Sequence, residues 1–578
     1  MKKKITLLLV VMLTEVSIPS FAQAPDWLWA KAMGGTSDDR GYSVAVDDSG
    51  NVYTTGLFTG TADFDPGAGV FNLTSVAIGD DIFISKLNGS GNFVWAKAIV
   101  GTTYAESYSI TIDASGNVYT TGVFNATVDF DPGAGIFNLT AGATQSFFVS
   151  KLDSSGNFVW AKTAGGASES WGTSIALDAS GNVYATGHFY GMVDFDPGTG
   201  IFNLYSFGHE SVFVSKLDTS GNFVWAKAIG GGSSGLDRAW GQSITISTNA
   251  GGDIYTTGYF EGTADFDPDS SGSFNLTSVG FNDIFISKLD SAGNFVWAKT
   301  MGGTLSEFGY SVAIDPTGSG AVYTTGYFNS MADFDPGAGI FNLTSAGGSD
   351  IFISKLDSSG NFVWAKRIGG SNYDYGYSIA VDPAGSGDVY TTGVFMGPVD
   401  FNPGSGLFPL TSAGGEDIFI LKLDGSGNFT WAKRAGGTGD DYGKSMTFDN
   451  SGYLHITGYF ESPSIAFGST TVINASTDTS DIFIAKLDTT IITGNEEIEK
   501  FGNGVLVFPN PAERELRIKN AEFRIESVEI YNVLGEKVFS QTTTSSKQTI
   551  NVAKLSPGIY FVKVRSEKEE RVVKFVKQ

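Results

Sequence analysis

Short runs of apolar residues, some alternating with polar ones and some continuous, recur along most of this chain, each closed by a cluster of Asp, Ser, Gly and Asn. Residues 107–162 show the pattern whole: "SYSITID" alternates and stops at "ASGN", "VYTTGVF" follows, "SFFVSKLD" comes after a longer excursion, and "SSGN" leads into "FVWAKTA". β-Branched and aromatic residues fill the runs, and Gly and Asn tolerate positive φ at tight turns, so the pattern predicts four strands joined by hairpins. The runs are apolar on both faces near their centres, which predicts small sheets covered on both sides. No stretch reads as helix.

The unit repeats. The Trp of "WAK" falls at Trp29, Trp95, Trp160, Trp225, Trp297, Trp364 and Trp431, at intervals of 66, 65, 65, 72, 67 and 67 residues. Variants of "DIFISKL" and of Thr-Gly-x-Phe also occur seven times each. Extra residues, as in "DPTGSGAVY" and "DPAGSGDVY", fall between predicted strands, where insertions are tolerated. Radially stacked four-stranded sheets satisfy this pattern: an all-β, seven-bladed β-propeller over 25–488, with an extra hairpin in the blades. The last repeat (445–487) stops after its third strand, while "DWLWAKA" near the N-terminus is a fourth strand with no repeat before it. The N-terminal strand is expected to complete the last blade and remove a free sheet edge.

Charge and termini set the compartment. Lys2, Lys3 and Lys4, an apolar run from Ile5 to Leu13 and the small-x-small site Ala22-Gln23-Ala24 read as a secretory signal peptide over 1–24. No later segment approaches the roughly 20 apolar residues of a transmembrane helix. The chain has no cysteine, so no disulfide supports it. Residues 25–493 carry 19 basic and 48 acidic side chains, a balance that disfavours nucleic acid and anionic membranes and either suits cations or neutral polymers such as glycans as partners or only keeps an exported protein soluble. Another surface protein is a further candidate partner. Composition shifts after Asp488: 489–504 reads as a linker, and 505–578, rich in Glu and Lys with alternating runs, as a small Ig-like β-sandwich.

The repeats resemble the bacterial SBBP-type β-propeller repeat, through "SIAVD", "SGNVYTTG" and "DIFISKLDSSGNFVWAK", over about residues 26–488. The tail looks like the C-terminal sorting domain of the type IX secretion system, through "VFPNPAERELRI" (507–518), "VEIYNVLGEKV" (528–538) and "LSPGIYFVKV" (555–564). The first resemblance implies the fold and no activity. The second implies a partner, the type IX machinery, and a protein secreted from or displayed on the outer surface of a Gram-negative bacterium, with the tail removed.

Candidate chemistry is sparse. The three histidines, His188, His209 and His455, show no metal-ligand spacing and read as replacements at Tyr-like positions. No repeat carries an odd cluster of catalytic residue types. "DFDPGAG" and its variants place pairs of carboxylates beside a Gly-rich turn: Asp63 with Asp65, Asp129 with Asp131, Asp194 with Asp196, Asp265 with Asp267 and Asp333 with Asp335. Two readings stand: calcium ligation, with calcium the one candidate ion, or hairpin punctuation. The loops entering each first strand bring an acid near an aromatic: Asp39 with Tyr42, Glu106 with Tyr108, Glu169 with Trp171, Asp237 with Trp240, Glu307 with Phe308, Asp374 with Tyr375 and Asp441 with Tyr442. Such pairs suit sugar or cation binding. The expectation is a non-catalytic binding or adhesion protein; a polysaccharide-active enzyme using carboxylates and a structural surface-layer element are the alternatives.

Overall fold

The apolar runs form strands where the pattern places them, and the turns between them explain the repeated words. The computed structural model describes residues 25–489 apart from 77–78, 143, 167, 207–208, 231–236, 249–250, 270–271 and 477, and residues 505–577 apart from 509–514, 521–524, 533–534, 543–546, 557 and 566–569. The expected signal peptide and the linker beyond residue 489 lie outside the described residues. Among the described residues every regular element is a β-strand, and the chain divides into two units between Thr490 and Ile491.

In the N-terminal unit, β1 (Trp27–Gly35) precedes a first repeat of β2 (Asp39–Val46), β3 (Val52–Phe58), a small hairpin β4 (Thr61–Asp63) and β5 (Asn72–Thr74), then β6 (Asp81–Leu87) and β7 (Phe93–Gly101). β2, β3, β6 and β7 pair antiparallel in that order. Five further repeats, over 105–163, 170–229, 238–303, 308–370 and 375–435, keep the same order. In the seventh, Asp441–Phe448, Leu454–Phe460 and Asp481–Leu487 pair in turn, and β1 takes the fourth place, with Trp29 opposite Lys486 and Met33 opposite Ile482.

A cycle of hydrogen bonds links the first strands. Ser43 Oγ accepts from Ile110 N–H, Ser109 from Ile175, Ser174 from Ile244, Ser243 from Val312, Ser311 from Ile379, Ser378 from Met446, and Ser445 from Val44. Between neighbouring sheets lie the apolar clusters. One of them joins Tyr323, Ile353 and Trp364 to Ile379, Val389 and Phe395 of the next repeat.

"GNFVWAK" joins repeats. Gly91 sits at φ +76° in the turn before β7, and a Cβ there would lie 3.1 Å from the Trp29 ring. The Trp29 indole N–H in turn donates to Gly89 O at 3.3 Å. Trp95, Trp160, Trp297 and Trp364 make the same bond to the following turn. Trp431 precedes the seventh repeat, which takes its fourth strand from β1. Its buried Nε1 is left without an acceptor.

The C-terminal unit holds a three-stranded sheet (Val505–Phe508, Glu515–Asn520, Lys547–Asn551) and a four-stranded one (Lys537–Thr542, Ser527–Asn532, Gly558–Arg565, Glu570–Lys577). Both contribute to one core, including Leu516, Ile518 and Ile550 from the first and Val528, Ile530 and Val562 from the second.

Candidate ligand-binding face

Because the four strands of a repeat alternate in direction, its two Asp-x-Ser-Gly-Asn turns lie at one end. The hairpin and the connection to the next repeat lie at the other. The turn end is tied down locally. Asp47 Oδ1 accepts from Ser49 and Asn51 N–H, and Oδ2 accepts from the Asn51 amide and the Tyr53 hydroxyl. Burial works to raise this carboxyl, but those donors prevail and hold it below its usual range.

The opposite end is built on a bulge. Gly41 pairs with Gly56 and Ser43 with Thr55, so Tyr42 is an extra residue with no partner across the strand. Gly56 is required here: a Cβ would fall 1.8 Å from Arg40 O. The same register shift leaves Tyr108, Thr173, Gln242, Tyr310, Tyr377 and Lys444 unpaired in the other repeats.

Side chains from the bulged strands and their neighbours make a belt of half-buried rings. Trp240 meets Tyr259 (ring centroids 4.9 Å), Tyr259 meets Phe308 (4.4 Å), Phe308 meets Tyr327 (4.8 Å) and Tyr327 meets Tyr375 (4.7 Å). A second run joins Tyr442, Tyr459, Tyr42, Tyr108 and Trp171. Lys444 connects the two, its ammonium 3.7 Å from the centroid of Tyr377 and 5.2 Å from that of Tyr442. Burial pushes Lys444 down to about 8, with Glu416 opposing the fall.

The acids expected beside these aromatics divide. Asp39, Glu307, Asp374 and Asp441 are 0 % exposed, Asp237 4 % and Glu106 9 %, whereas Glu169 is exposed. Buried carboxylates clamp backbone. Asp374 accepts from Gly370 and Met396 N–H, Asp441 from Gly437 and Ser462, Glu307 from Gly303, Asp39 from Thr59 and Asp237 from Thr263. Four stand next to a second buried acid of the preceding repeat: Asp39 by Asp481, Glu307 by Asp283, Asp374 by Asp350 and Asp441 by Asp417.

The hairpin acids also hold backbone. Asp63 Oδ1 accepts from Asp65 N–H (3.0 Å) and Phe71 N–H (2.8 Å), and Asp65 Oδ1 from Gly67 N–H (2.8 Å). Asp129 accepts in the same way from Asp131 and Phe137 N–H, and Asp131 from Gly133 N–H. Asp194 takes Asp196 and Phe202 N–H while Asp196 takes Gly198 N–H. In the fifth repeat Asp333 serves Asp335 and Phe341, and Asp335 serves Gly337. Asp265 does the same work, and Asp267 accepts from Asp269 N–H. In the sixth repeat the neutral amide of Asn402 replaces the second acid and accepts from Gly404 N–H at 2.8 Å.

The contacts of these pairs are those of turn punctuation. The second acids Asp65, Asp131, Asp196, Asp267 and Asp335 each turn an oxygen back to an N–H of their own loop, and each pair stands alone in its hairpin. Hard cations need several oxygens converging on one point. Among the described residues no three His, Cys, Asp or Glu side chains gather in that way.

One repeat does carry an odd cluster, against the sequence expectation. Between the second and third repeats a cavity of about 320 Å³ is lined by Gln145, Glu169, Trp171, His188, Tyr190, His209 and Glu210. His188 stacks on Trp171 (5.7 Å, 21°) and His209 tilts against Tyr190 (6.4 Å). Ser146 and Ser170 occupy the positions that hold an acid pair at other seams. Each makes one local bond instead: Ser170 Oγ accepts from Phe147 N–H and Ser146 Oγ from Gly142 N–H. The signal in the sequence is the coincidence of two of the three histidines with "SFFVSKL" and "SVFVSKL", where Ser replaces the Asp of "DIFISKL".

Comparison with known proteins agrees with the repeat reading. Residues 28–61, 363–394 and 430–459 match the family described as beta-propeller repeat, SBBP. Residues 506–578 match the secretion system C-terminal sorting domain. The chain thus carries SBBP β-propeller repeats followed by a type IX sorting domain, which marks a secreted or cell-surface protein. No helix among the described residues is long and apolar enough to cross a membrane. An uncharacterized WD repeat-containing protein of Acanthamoeba polyphaga mimivirus is 25% identical over 516 residues, covering 76% of this chain and 36% of its own length. The regulatory protein FlaEY of Caulobacter vibrioides is 28% identical over 167 residues, 29% of this chain and 17% of its own. The chain therefore spans little more than a third of the first relative's length and about a sixth of the second's. Among solved structures, Sqt1 from Chaetomium thermophilum aligns over 81% of this chain and 99% of its own, at 11% identity and a TM-score of 0.35. PorZ of Porphyromonas gingivalis, an essential surface component of the type-IX secretion system, aligns over 95% of this chain and 100% of its own, at 10% identity and a TM-score of 0.17.

Proposed function

We propose that the seven strand sets are the blades of one closed β-propeller, that the tail is an Ig-like sorting sandwich engaging the type IX machinery, and that the exported protein is a non-catalytic glycan-binding protein of the Gram-negative outer surface. The serine cycle supports closure, since its seventh bond, Val44 N–H to Ser445 Oγ, returns to the first repeat.

The observation that carries the binding reading is the belt of half-buried rings running from Trp240 to Trp171 through every repeat. Flat aromatic faces stack on the apolar faces of sugar rings, and their polar edges meet hydroxyls. Binding is favoured over hydrolysis because six of the seven acids beside these aromatics are buried, and five of them are bonded to backbone, so that Glu169 is left exposed without a second carboxylate of the set to work with it. A glycan array probed with the protein, with and without calcium, tests the reading. Retention of polysaccharide should be lost when Trp240→Ala and Tyr375→Ala are combined, while the melting temperature holds. Unchanged retention in that double variant would reject the belt as the binding surface.

A further inference from the structure

The cavity between the second and third repeats breaks the sevenfold pattern in chemistry as well as in shape. Its walls are two rings (Trp171, Tyr190), two imidazoles (His188, His209), one amide (Gln145) and two carboxylates (Glu169, Glu210), and among the described residues no Lys or Arg lines it. Glu169 is exposed at the wall and is held by the Thr144 hydroxyl. Glu210 keeps Oε2 sealed from solvent without a hydrogen bond, its nearest cation being Arg238 Nε at 3.8 Å. His188 Nδ1 is likewise sealed and without a partner. Burial keeps the His188 ring neutral, so one of its nitrogens is free to accept a proton donor while the other donates. The volume sits at the small end of ligand pockets, which run from roughly 300 to 1,000 Å³, and so suits one residue of a chain rather than a folded partner.

We propose that this cavity is a subsite for a sugar residue bearing a free amino group. The sugar ring lies against Trp171 and Tyr190, the ammonium lies against Glu169, and hydroxyls meet His188 and Gln145. A carboxylate beside an aromatic face selects an organic cation over its neutral counterpart, through charge-assisted hydrogen bonding and cation–π attraction. The subsite rests on the glycan-binding reading and adds to it the identity of one residue of the glycan.

The test titrates the full chain calorimetrically with chitosan oligosaccharides, and with fully N-acetylated oligosaccharides of the same length. Free-amine chains should bind at least about tenfold more tightly than acetylated ones, and Glu169→Gln should remove that difference, as expected for one lost charge-assisted bond. Glu169 is exposed, so the variant should fold; Trp171→Ala should weaken both oligosaccharides together. Equal affinity for the two chains overturns the amine subsite and leaves the glycan reading standing. A preference for free amines that survives Glu169→Gln overturns the placement. Failure of every glycan on the array, these two included, overturns the parent reading.

Discussion

Asp39 and Asp481 face one another across the seam between the first and seventh repeats, and each keeps a buried oxygen without a hydrogen-bond partner. The two oxygens crowd the space over Gly34: a Cβ on that glycine would lie 2.2 Å from Asp481 Oδ1 and 3.2 Å from Asp39 Oδ2. Burial, reinforced by the neighbouring acid, pushes Asp39 up to about 8, and burial raises Asp481 to about 7. Glu307 and Asp374 reach about 7 and Asp441 about 6 for the same first reason, burial.

These groups predict a pH dependence opposite to ordinary acid denaturation. Each holds its proton in the folded state to a higher pH than in the unfolded chain, where carboxyls titrate near about 4. Between those values the folded state binds more protons. The stabilisation is therefore complete below about 4 and declines as pH rises through the folded values of about 6 to about 8. Melting temperature should fall steadily from about pH 5 to about pH 8. Asp39→Asn should flatten the fall and stabilise at the alkaline end by on the order of 1–3 kcal/mol. A melting temperature that climbs across that range would contradict the buried pairs. Below about pH 4 the turn acids Asp47, Asp113 and Asp178, held low by their donors, should reverse the trend.

Removal of residues 26–33 should cost far more than a surface strand. It strips the pairing partner from Asp481–Leu487 and exposes that edge, along with the apolar pocket of Met33. The loss should exceed about 4 kcal/mol, with self-association in size-exclusion chromatography. A truncated protein that melts within a degree or two of the parent would falsify the role of β1.

Two glycines of the first repeat separate backbone from packing. Gly50 and Gly91 share a positive φ (+78° and +76°), but only Gly91 has neighbours against its missing Cβ, the rigid Trp29 ring and the flexible end of Lys31, both at 3.1 Å. Gly50→Ala should cost about 1 kcal/mol and Gly91→Ala clearly more, in denaturant titrations read by Trp fluorescence. Equal costs would mean that the Trp29 contact contributes nothing.

For the hairpins, the turn role predicts that Asp65→Asn is within about 0.5 kcal/mol of the parent, as Asn402 already demonstrates in the sixth repeat. The equivalent changes at Asp131, Asp196 and Asp335 should be as mild, since each accepts the same single loop N–H. Asp63→Ala, which removes the acceptor for two N–H groups, should cost about 1–3 kcal/mol. Calcium and a chelator should leave the melting curve unmoved. A calcium-dependent rise that Asp65→Asn abolishes would instead make these carboxylates ligands.

The four-strand unit and the seven "WAK" landmarks were legible because strand alternation and turn chemistry are local, and each repeat states them again. "DWLWAK" could be matched to the seventh repeat because an incomplete unit at each end of a periodic chain leaves one pairing open. The candidate site was less legible. The spacing that marked Asp39, Glu307, Asp374 and Asp441 as neighbours of aromatics is the spacing at which a carboxylate reaches the backbone of an adjacent Gly-Gly. Sequence distance does not tell these outcomes apart. The cavity gathers Gln145 from one repeat and Trp171 and His209 from the next, so His188 and His209 looked like isolated replacements along a single chain.

The bulge in each first strand sets a constant residue beside a variable one. The serine after it holds the neighbouring repeat, and the extra residue before that serine is Tyr, Tyr, Thr, Gln, Tyr, Tyr or Lys around the cycle. The serine joint is thereby constant while the residue beside it varies. A gene built by copying one repeat can rewrite that side chain seven times over, drifting from aromatic to cationic to amide, while the joints that keep the copies together stay as they were.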